Sequence, residues 1–168
     1  MPVSKEILES LNRTHLREPK VFLKNGKKHK VDHMGVYRAD LEVIGHSWEF
    51  RRGRLKEEVT TLFGGREKEC AVHITPKLIC VVHVLGIDGN RRMIPIHKLF
   101  VSLDDKVDES TIPKTKKVKI INEGRKWLKI GETIPVRCDV WSDGFVENTF
   151  DVKRWEKRMV EERAKDSD

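Results

Sequence analysis

The stretch from Leu78 to Val101 sets the strongest limit on what this chain can fold into. It runs Leu78-Ile79-Cys80-Val81-Val82-His83-Val84-Leu85-Gly86-Ile87, then Asp88-Gly89-Asn90, then Arg91-Arg92-Met93-Ile94-Pro95-Ile96-His97-Lys98-Leu99-Phe100-Val101. The first run is almost wholly apolar and rich in β-branched residues, whose stiff side chains suit a pleated strand. Asp-Gly supplies the positive φ angles of a tight hairpin turn. Ile94 and Ile96 then resume the apolar pattern at strand spacing. The stretch predicts a β-hairpin whose first strand is buried on both faces. The competing reading is a short helix with Thr75 as N-cap, Pro76 at its first position and Gly86 as C-cap. The β-branched content weighs against that helix.

The flanking segments supply the rest of a fold. Ser4 can cap an amphipathic helix within residues 1–16, with Ile7, Leu8 and Leu11 on one face and Pro19 as its stop. Lys20 to Lys30 holds five lysines and no acid, with a turn signal at Asn25-Gly26, and reads as an exposed basic arm or loop. Tyr37, Ala39, Leu41 and Val43 alternate with Arg38, Asp40 and Glu42, the period of a strand with one buried face, which Gly45 breaks. Leu55, Val59, Leu62 and Phe63 fall at helical spacing before Gly64-Gly65, predicting a helix that lies across the sheet. Asp104 to Ser110 is an acidic surface loop. Lys116 to Ile121 reads as an edge strand guarded by lysines. Ile134, Val136, Cys138 and Val140 share one face of a further strand, opposite Pro135, Arg137, Asp139 and Trp141, and Asp143-Gly144 turns the chain. A last helix begins near Thr149, with Val152, Trp155 and Met159 on one face. The expected fold is therefore α+β: a single domain with an antiparallel sheet of about five strands and two helices packed on it. Residues 1–34 form the basic N-terminal arm, 35–160 the globular part and 161–168 a polar tail that frays.

Of the 168 residues, 38% are hydrophobic and 36% charged, enough for a compact core under a heavily charged surface. The formal net charge is +7, and residues 1–33 carry +4 of it, with eight Lys/Arg against four acids. Such a balance favours anionic partners: nucleic acid, nucleoprotein or an acidic membrane face. The clusters that would meet them are Lys20, Lys24, Lys27, Lys28 and Lys30; Arg51, Arg52 and Arg54; Arg91 and Arg92; and Lys114, Lys116, Lys117 and Lys119. Trp48 and Trp127 lie beside basic residues and could stack on bases or a partner. The bland reading of each cluster is a solvated face. No apolar stretch reads as a signal peptide or membrane span, so membrane contact would be peripheral. Cys70, Cys80 and Cys138 read as reduced, packed thiols of an intracellular protein.

Chemistry is harder to find. No glycine-rich phosphate loop follows a strand. Cys70 and His73, like Cys80 and His83, are three apart, and together could give a tetrahedral zinc site. On strands, residues three apart face opposite ways, so only a helical reading would let each pair chelate. No nucleophile signature surrounds any cysteine. The expectation is a protein with no catalytic residue, no metal and no cofactor.

A basic arm, an alternating strand at Tyr37 to Val43, a following helix, apolar strands ending at Asn90, the run Leu128-Lys129-Ile130-Gly131-Glu132-Thr133-Ile134-Pro135-Val136-Arg137-Cys138-Asp139-Val140-Trp141-Ser142-Asp143 and a terminal helix come in that order. This resembles the matrix proteins of rhabdoviruses, especially the short cytorhabdovirus-like ones of plant-infecting members. The resemblance covers about residues 20–160 and rests on order and pattern rather than on an invariant motif. It implies a non-enzymatic assembly protein that self-associates as a homo-oligomer and bridges ribonucleoprotein to the inner membrane face, in the virion and host cytoplasm. It assigns the Lys20 to Lys30 arm to membrane or nucleocapsid contact. The proline-rich budding motif of animal members is absent, since no Pro-Pro or Pro-Thr-Ala-Pro occurs. The alternative is an RNA-binding module such as a viral suppressor of host RNA silencing.

Overall fold

The computed structural model describes residues 2–52, 54–60, 67–73 and 75–166, with 54–60, 67–73 and 166 described by backbone alone. The fold is α+β. The described residues form a five-stranded antiparallel sheet in the order β7-β6-β3-β8-β9, three α-helices and two separate two-stranded ribbons. The sheet strands are β3 (His33–Arg51), β6 (Lys77–Leu85), β7 (Arg91–Ser102), β8 (Thr133–Trp141) and β9 (Val146–Phe150). The ribbons are β1 (Lys20–Lys24) with β2 (Lys27–Val31), and β4 (Arg54–Thr60) with β5 (Glu67–His73). The helices are α1 (Lys5–Glu9), α2 (Lys114–Trp127) and α3 (Val152–Asp166).

The chain divides into two compact units, one of Met1–Gly45, Val82–Pro95 and Leu128–Asp168, the other of His46–Val81 and Ile96–Trp127. Strands β3, β6 and β7 each run from one unit into the other. In the first unit, β3 and β8 pair antiparallel from His33↔Trp141 to Glu42↔Thr133, and β8 continues the ladder to β9. The alternating residues Ala39, Leu41 and Val43 are buried, as are Ile134, Val136, Cys138 and Val140 opposite them. Pro135, Asp139 and Trp141 are buried too, so β8 is covered on both faces. In the second unit Leu78, Ile79, Cys80 and Val81 are buried without a break, the continuous apolar run of a strand covered on both faces.

The central hairpin is therefore β6–β7, and the helical alternative falls. Its turn is longer than a two-residue loop. Gly86 N–H donates to the Asn90 carbonyl at 2.8 Å, Gly89 N–H donates to the Gly86 carbonyl at 3.0 Å, and Gly89 alone takes a positive φ, +80°. The Asp88 side chain, buried within the loop, accepts the Asn90 N–H at 3.1 Å and a guanidinium N–H from Arg92.

Several sequence expectations are corrected. Residues 54–60 form a strand, not the start of a helix over Leu55 to Phe63. Leu55 and Val59 are four apart, a spacing that fits both a helix stripe and alternate positions of a strand, and pairing from Arg54↔His73 to Thr60↔Glu67 decides for the strand. Residues 61–66, including the Gly64-Gly65 stop, lie outside the described residues. Lys116 to Ile121 belongs to a helix, not an edge strand. The Pro113 carbonyl accepts the N–H groups of Lys116 and Lys117, and the buried pair Ile120 and Gly124 recurs at helical spacing. A Cβ on Gly124 would stand 2.6 Å from Cys80 Sγ, so only glycine lets the helix backbone come this near the sheet. Gly45 does not break β3, which continues to Arg51. The last helix starts at Val152 rather than near Thr149, because Val146 to Phe150 pair with β8. Asp151 caps it, accepting the Arg154 N–H at 3.3 Å, and it continues to Asp166 through the segment expected to fray. The N-terminal helix is confined to Lys5–Glu9, with Ser4 Oγ accepting the Ile7 N–H at 3.4 Å. Asp104 to Ser110 is the expected polar loop, but it leads into a 3-10 turn at Glu109–Thr111. There bonds from Ser110 and Thr111 hold the Asp108 carboxyl below the usual carboxylate range.

Candidate anion-binding surface

The basic stretch Lys20 to Lys30 is not a loop but the β1–β2 ribbon. Asn25 (φ 53°) and Gly26 (φ 75°) both take the left-handed conformation, and Lys24 pairs with Lys27 across them. That is a two-residue turn of the kind that matches strand twist, and Asn-Gly is the dipeptide that tolerates it.

Cross-strand register sorts the ribbon into two faces. Val21 stands opposite Lys30, and Leu23 opposite Lys28. On this face Val21 is 62% exposed and Leu23 72% exposed, so two aliphatic side chains stand in water with a lysine beside each. The other face carries Lys20, Phe22, Lys24, Lys27, His29 and Val31. Phe22 and His29 stack there with ring centroids 5.7 Å apart and 20° between planes. Lys20 pairs with Glu147 at 3.4 Å and Lys30 with Asp32 at 3.8 Å. Among the described residues, Lys24, Lys27 and Lys28 form no ion pair with a carboxylate.

The base of the ribbon is held firmly to the first unit. Lys20 Nζ sits 4.2 Å from the centroid of the buried Trp141 ring. Arg17 donates to Glu147 Oε2 at 3.0 Å. Asp32 N–H donates to Ser142 Oγ, and Ser142 N–H to the Asp32 carbonyl, both at 2.8 Å. His33 is buried; its Nδ1 accepts the Arg17 N–H at 3.1 Å, which leaves Nε2 to donate to Asp139 Oδ1 at 2.8 Å. The tip thus projects from an anchored root. Beside that root, Phe145 in the β8–β9 turn is 53% exposed.

The other basic clusters are placed differently. Arg52 donates to the carbonyls of Asp105, at 2.7 Å, and Val107, so it ties a loop. Arg51 pairs with its neighbour Glu49 at 3.1 Å. The Arg54 side chain lies outside the described residues. Arg92 is spent on Asp88, and Arg91 Nε donates to His83 Nδ1 at 2.9 Å. Lys114, Lys116, Lys117 and Lys119 lie on α2; Lys117 Nζ stands 4.7 Å from the Trp48 ring centroid, and Lys116 and Lys117 are half-buried. Trp127 donates to Glu123 at 3.2 Å on the same helix. Among the described residues, the Lys20 to Lys30 cluster differs from the others in lying on an element whose residues 20–30 are all exposed. The exposure of this stretch was expected, but the pairing that sets Val21 and Leu23 on one face and Phe22 on the other was not; the signal was an apolar triplet alternating across the Asn25-Gly26 turn from the lysines.

The cysteine chemistry is muted. Burial pushes the Cys80 thiol up to about 11. Burial, followed by the charges of Asp139 and Asp88, pushes Cys138 up to about 12. Both remain protonated at neutral pH, and a thiol is a poor nucleophile and metal ligand. The side chains of Cys70 and His73 lie outside the described residues. Among the described residues no group of three or more His, Cys, Asp or Glu side chains is arranged to hold a metal ion, and no helix is long and apolar enough to cross a membrane. No protein family, curated protein or solved structure matches the chain.

Proposed function

We propose that this chain is a matrix-like assembly protein without enzymatic activity, which attaches peripherally to an anionic membrane face through the β1–β2 ribbon and bridges it to ribonucleoprotein. The observation that carries the reading is the face on which exposed Val21 and Leu23 alternate with Lys30 and Lys28. Such a face suits an acidic bilayer. Each lysine near the head groups contributes about 1 kcal/mol, and each aliphatic side chain moved out of water about 1.5–3 kcal/mol. The anchored root lets the ribbon meet the surface without first being ordered, which lowers the entropy cost of binding. Self-association would then multiply a modest single-ribbon affinity by avidity.

Flotation of the full chain with phosphatidylcholine vesicles, with and without phosphatidylserine, tests this at low and high salt. Binding should require the acidic lipid and weaken with salt. Leu23→Glu should abolish it while leaving the melting temperature unchanged. Absence of binding to acidic vesicles at low salt rejects the reading.

One observation favours RNA as the alternative anionic partner. The stacked Phe22 and His29 on the opposite face, flanked by Lys24 and Lys27, offer a platform for an unpaired base. That reading predicts binding to bare single-stranded RNA with a steep salt slope, loss of it in Phe22→Ala, and in Leu23→Glu only the modest loss that one added negative charge causes.

A further inference from the structure

Arg38 and Arg137 stand directly opposite each other in the β3–β8 ladder. Side chains so placed start about 5 Å apart, and like charges there repel. Beside the two arginines lies a cavity of 90 Å³ lined by Asn12, His15, Val36, Arg38 and Arg137. Its walls are fixed by backbone. Asn12 N–H donates to the Val36 carbonyl and Val36 N–H to the Asn12 carbonyl, each at 2.9 Å, so the segment entering His15 is docked along β3.

Among the described residues each arginine pairs with one carboxylate, and each carboxylate is shared. Arg38 Nη1 donates to Asp151 Oδ2 at 3.0 Å, while Asp151 also caps α3 and pairs with Arg154. Arg137 Nη2 donates to Asp139 Oδ1 at 3.4 Å, the oxygen that also accepts the hydrogen bond from His33 Nε2. Arg137 Nε is shielded from solvent and lies 3.3 Å from Asp139 Oδ2 without forming a hydrogen bond. A guanidinium has five N–H donors, so both arginines keep donors beyond their described partners. Asn12 Oδ1 accepts the Thr14 N–H at 2.9 Å, which fixes the amide at the rim with its NH2 group as a further donor.

We propose that this cavity is a binding site for a phosphoryl group with three terminal oxygens, either free phosphate or a lipid head group that is a phosphate monoester. Several acceptor oxygens on one tetrahedral centre satisfy two guanidiniums at once, and charge-assisted bonds of this kind are the strong ones. The spare donors of two guanidiniums, with Asn12 and His15 beside them, suit the three terminal oxygens of free phosphate or a monoester better than the two of a diester. An anion between Arg38 and Arg137 also converts their repulsion into a bridge. The site is separate from the lysine ribbon and stands whether or not the ribbon binds membranes.

Titration of the full chain with inorganic phosphate at constant ionic strength tests the site, followed by the melting temperature and by the NMR signals of His15. Saturable shifts of the His15 signals are expected, with a melting temperature that rises with phosphate and not with chloride. Arg38→Gln and Arg137→Gln should each weaken affinity about tenfold. His15→Ala, which touches neither ion pair, should weaken it without altering the melting temperature of the phosphate-free protein. Vesicles carrying phosphatidic acid form the second arm. Competition between them and free phosphate, lost in Arg137→Gln, assigns the lipid head group. Vesicles that leave the phosphate titration unchanged assign the free anion. No saturable response to phosphate, or one unchanged in all three variants, overturns the proposal.

Discussion

The β1–β2 ribbon turns on Asn25-Gly26 and the β6–β7 hairpin on Asp88-Gly89, yet the two elements have opposite fates. At the first turn both residues take positive φ and the strands meet across two residues. At the second only Gly89 does, because the Asp88 carboxylate is held inside the loop by Arg92 and Asn90. The strands differ more. Leu78 to Val82 in β6 are buried throughout, whereas Lys20 to Lys30 are all exposed. Similar turn chemistry therefore fixes a chain reversal in both places and decides nothing about location. Apolar content decides that: a run of β-branched residues enters the core, and a lysine-rich run with three apolar residues stays outside, where its unburied aliphatic side chains are available to a partner.

The sharpest way to break this comparison is to place the same charge in each hairpin. Val82→Asp puts a carboxylate at a fully buried position of β6. An unpaired buried charge should cost more than about 4 kcal/mol and leave little folded protein. Val21→Asp, at an exposed position of β1, should change stability by no more than about 0.5 kcal/mol. Urea unfolding of both variants reads the difference. Equal losses would mean that the ribbon is part of the core.

A smaller effect is expected from the Asp88 loop. Burial alone would raise the Asp88 carboxyl, but the Arg92 guanidinium and the N–H groups of Asn90 bring it below the usual carboxylate range. Because the folded value lies below the unfolded one, about 3.9, the bound carboxylate adds stability above that pH. The contribution is lost as pH falls through the folded value. Asp88→Ala should cost about 1–3 kcal/mol at neutral pH, since it removes the charged acceptor of the Asn90 N–H and the Arg92 guanidinium. Asp88→Asn should flatten the acid limb of stability against pH. An unchanged acid limb in Asp88→Asn would show that the loop draws nothing from this charge.

How legible these features were depended on how far the deciding contact lay along the chain. The β6–β7 hairpin, the Tyr37 to Val43 strand and the Ile134 to Val140 strand were readable because their apolar spacing is local and burial agrees with it. Residues 54–60 were misread because Leu55 and Val59 fit two periods, and the partner strand 67–73 that settles the matter carries no comparable signal. Lys116 to Ile121 was misread because alternating lysines mimic an edge strand. The stripe that matters, Ile120 and Gly124, includes a glycine that a hydrophobic count ignores but whose missing side chain lets the helix approach Cys80. The lysines of the ribbon were read directly, while its two faces needed the register. The cavity beside Arg38 and Arg137 was invisible, since those residues are 99 positions apart and meet only through the β3–β8 pairing.

The smallest effect on global stability sharpens the comparison from the side of the ribbon. Gly26 adopts φ +75° with open space around the position where a Cβ would stand, so Gly26→Ala meets no clash and acts through backbone conformation alone. A left-handed conformation costs an L-residue about 1–2 kcal/mol. An isolated two-stranded ribbon is marginal in water, so that cost should suffice to open the tip while Lys20 and Asp32 keep the root attached through Glu147 and Ser142. Amide exchange across Lys20 to Val31 should quicken, with the unfolding midpoint almost unmoved. Binding to phosphatidylserine vesicles should fall severalfold although every lysine is retained. If it does not fall, the lysines act as charge on a tether. If it does, the alternation of aliphatic and cationic side chains on one face matters, and the ribbon's geometry contributes to recognition alongside its charge.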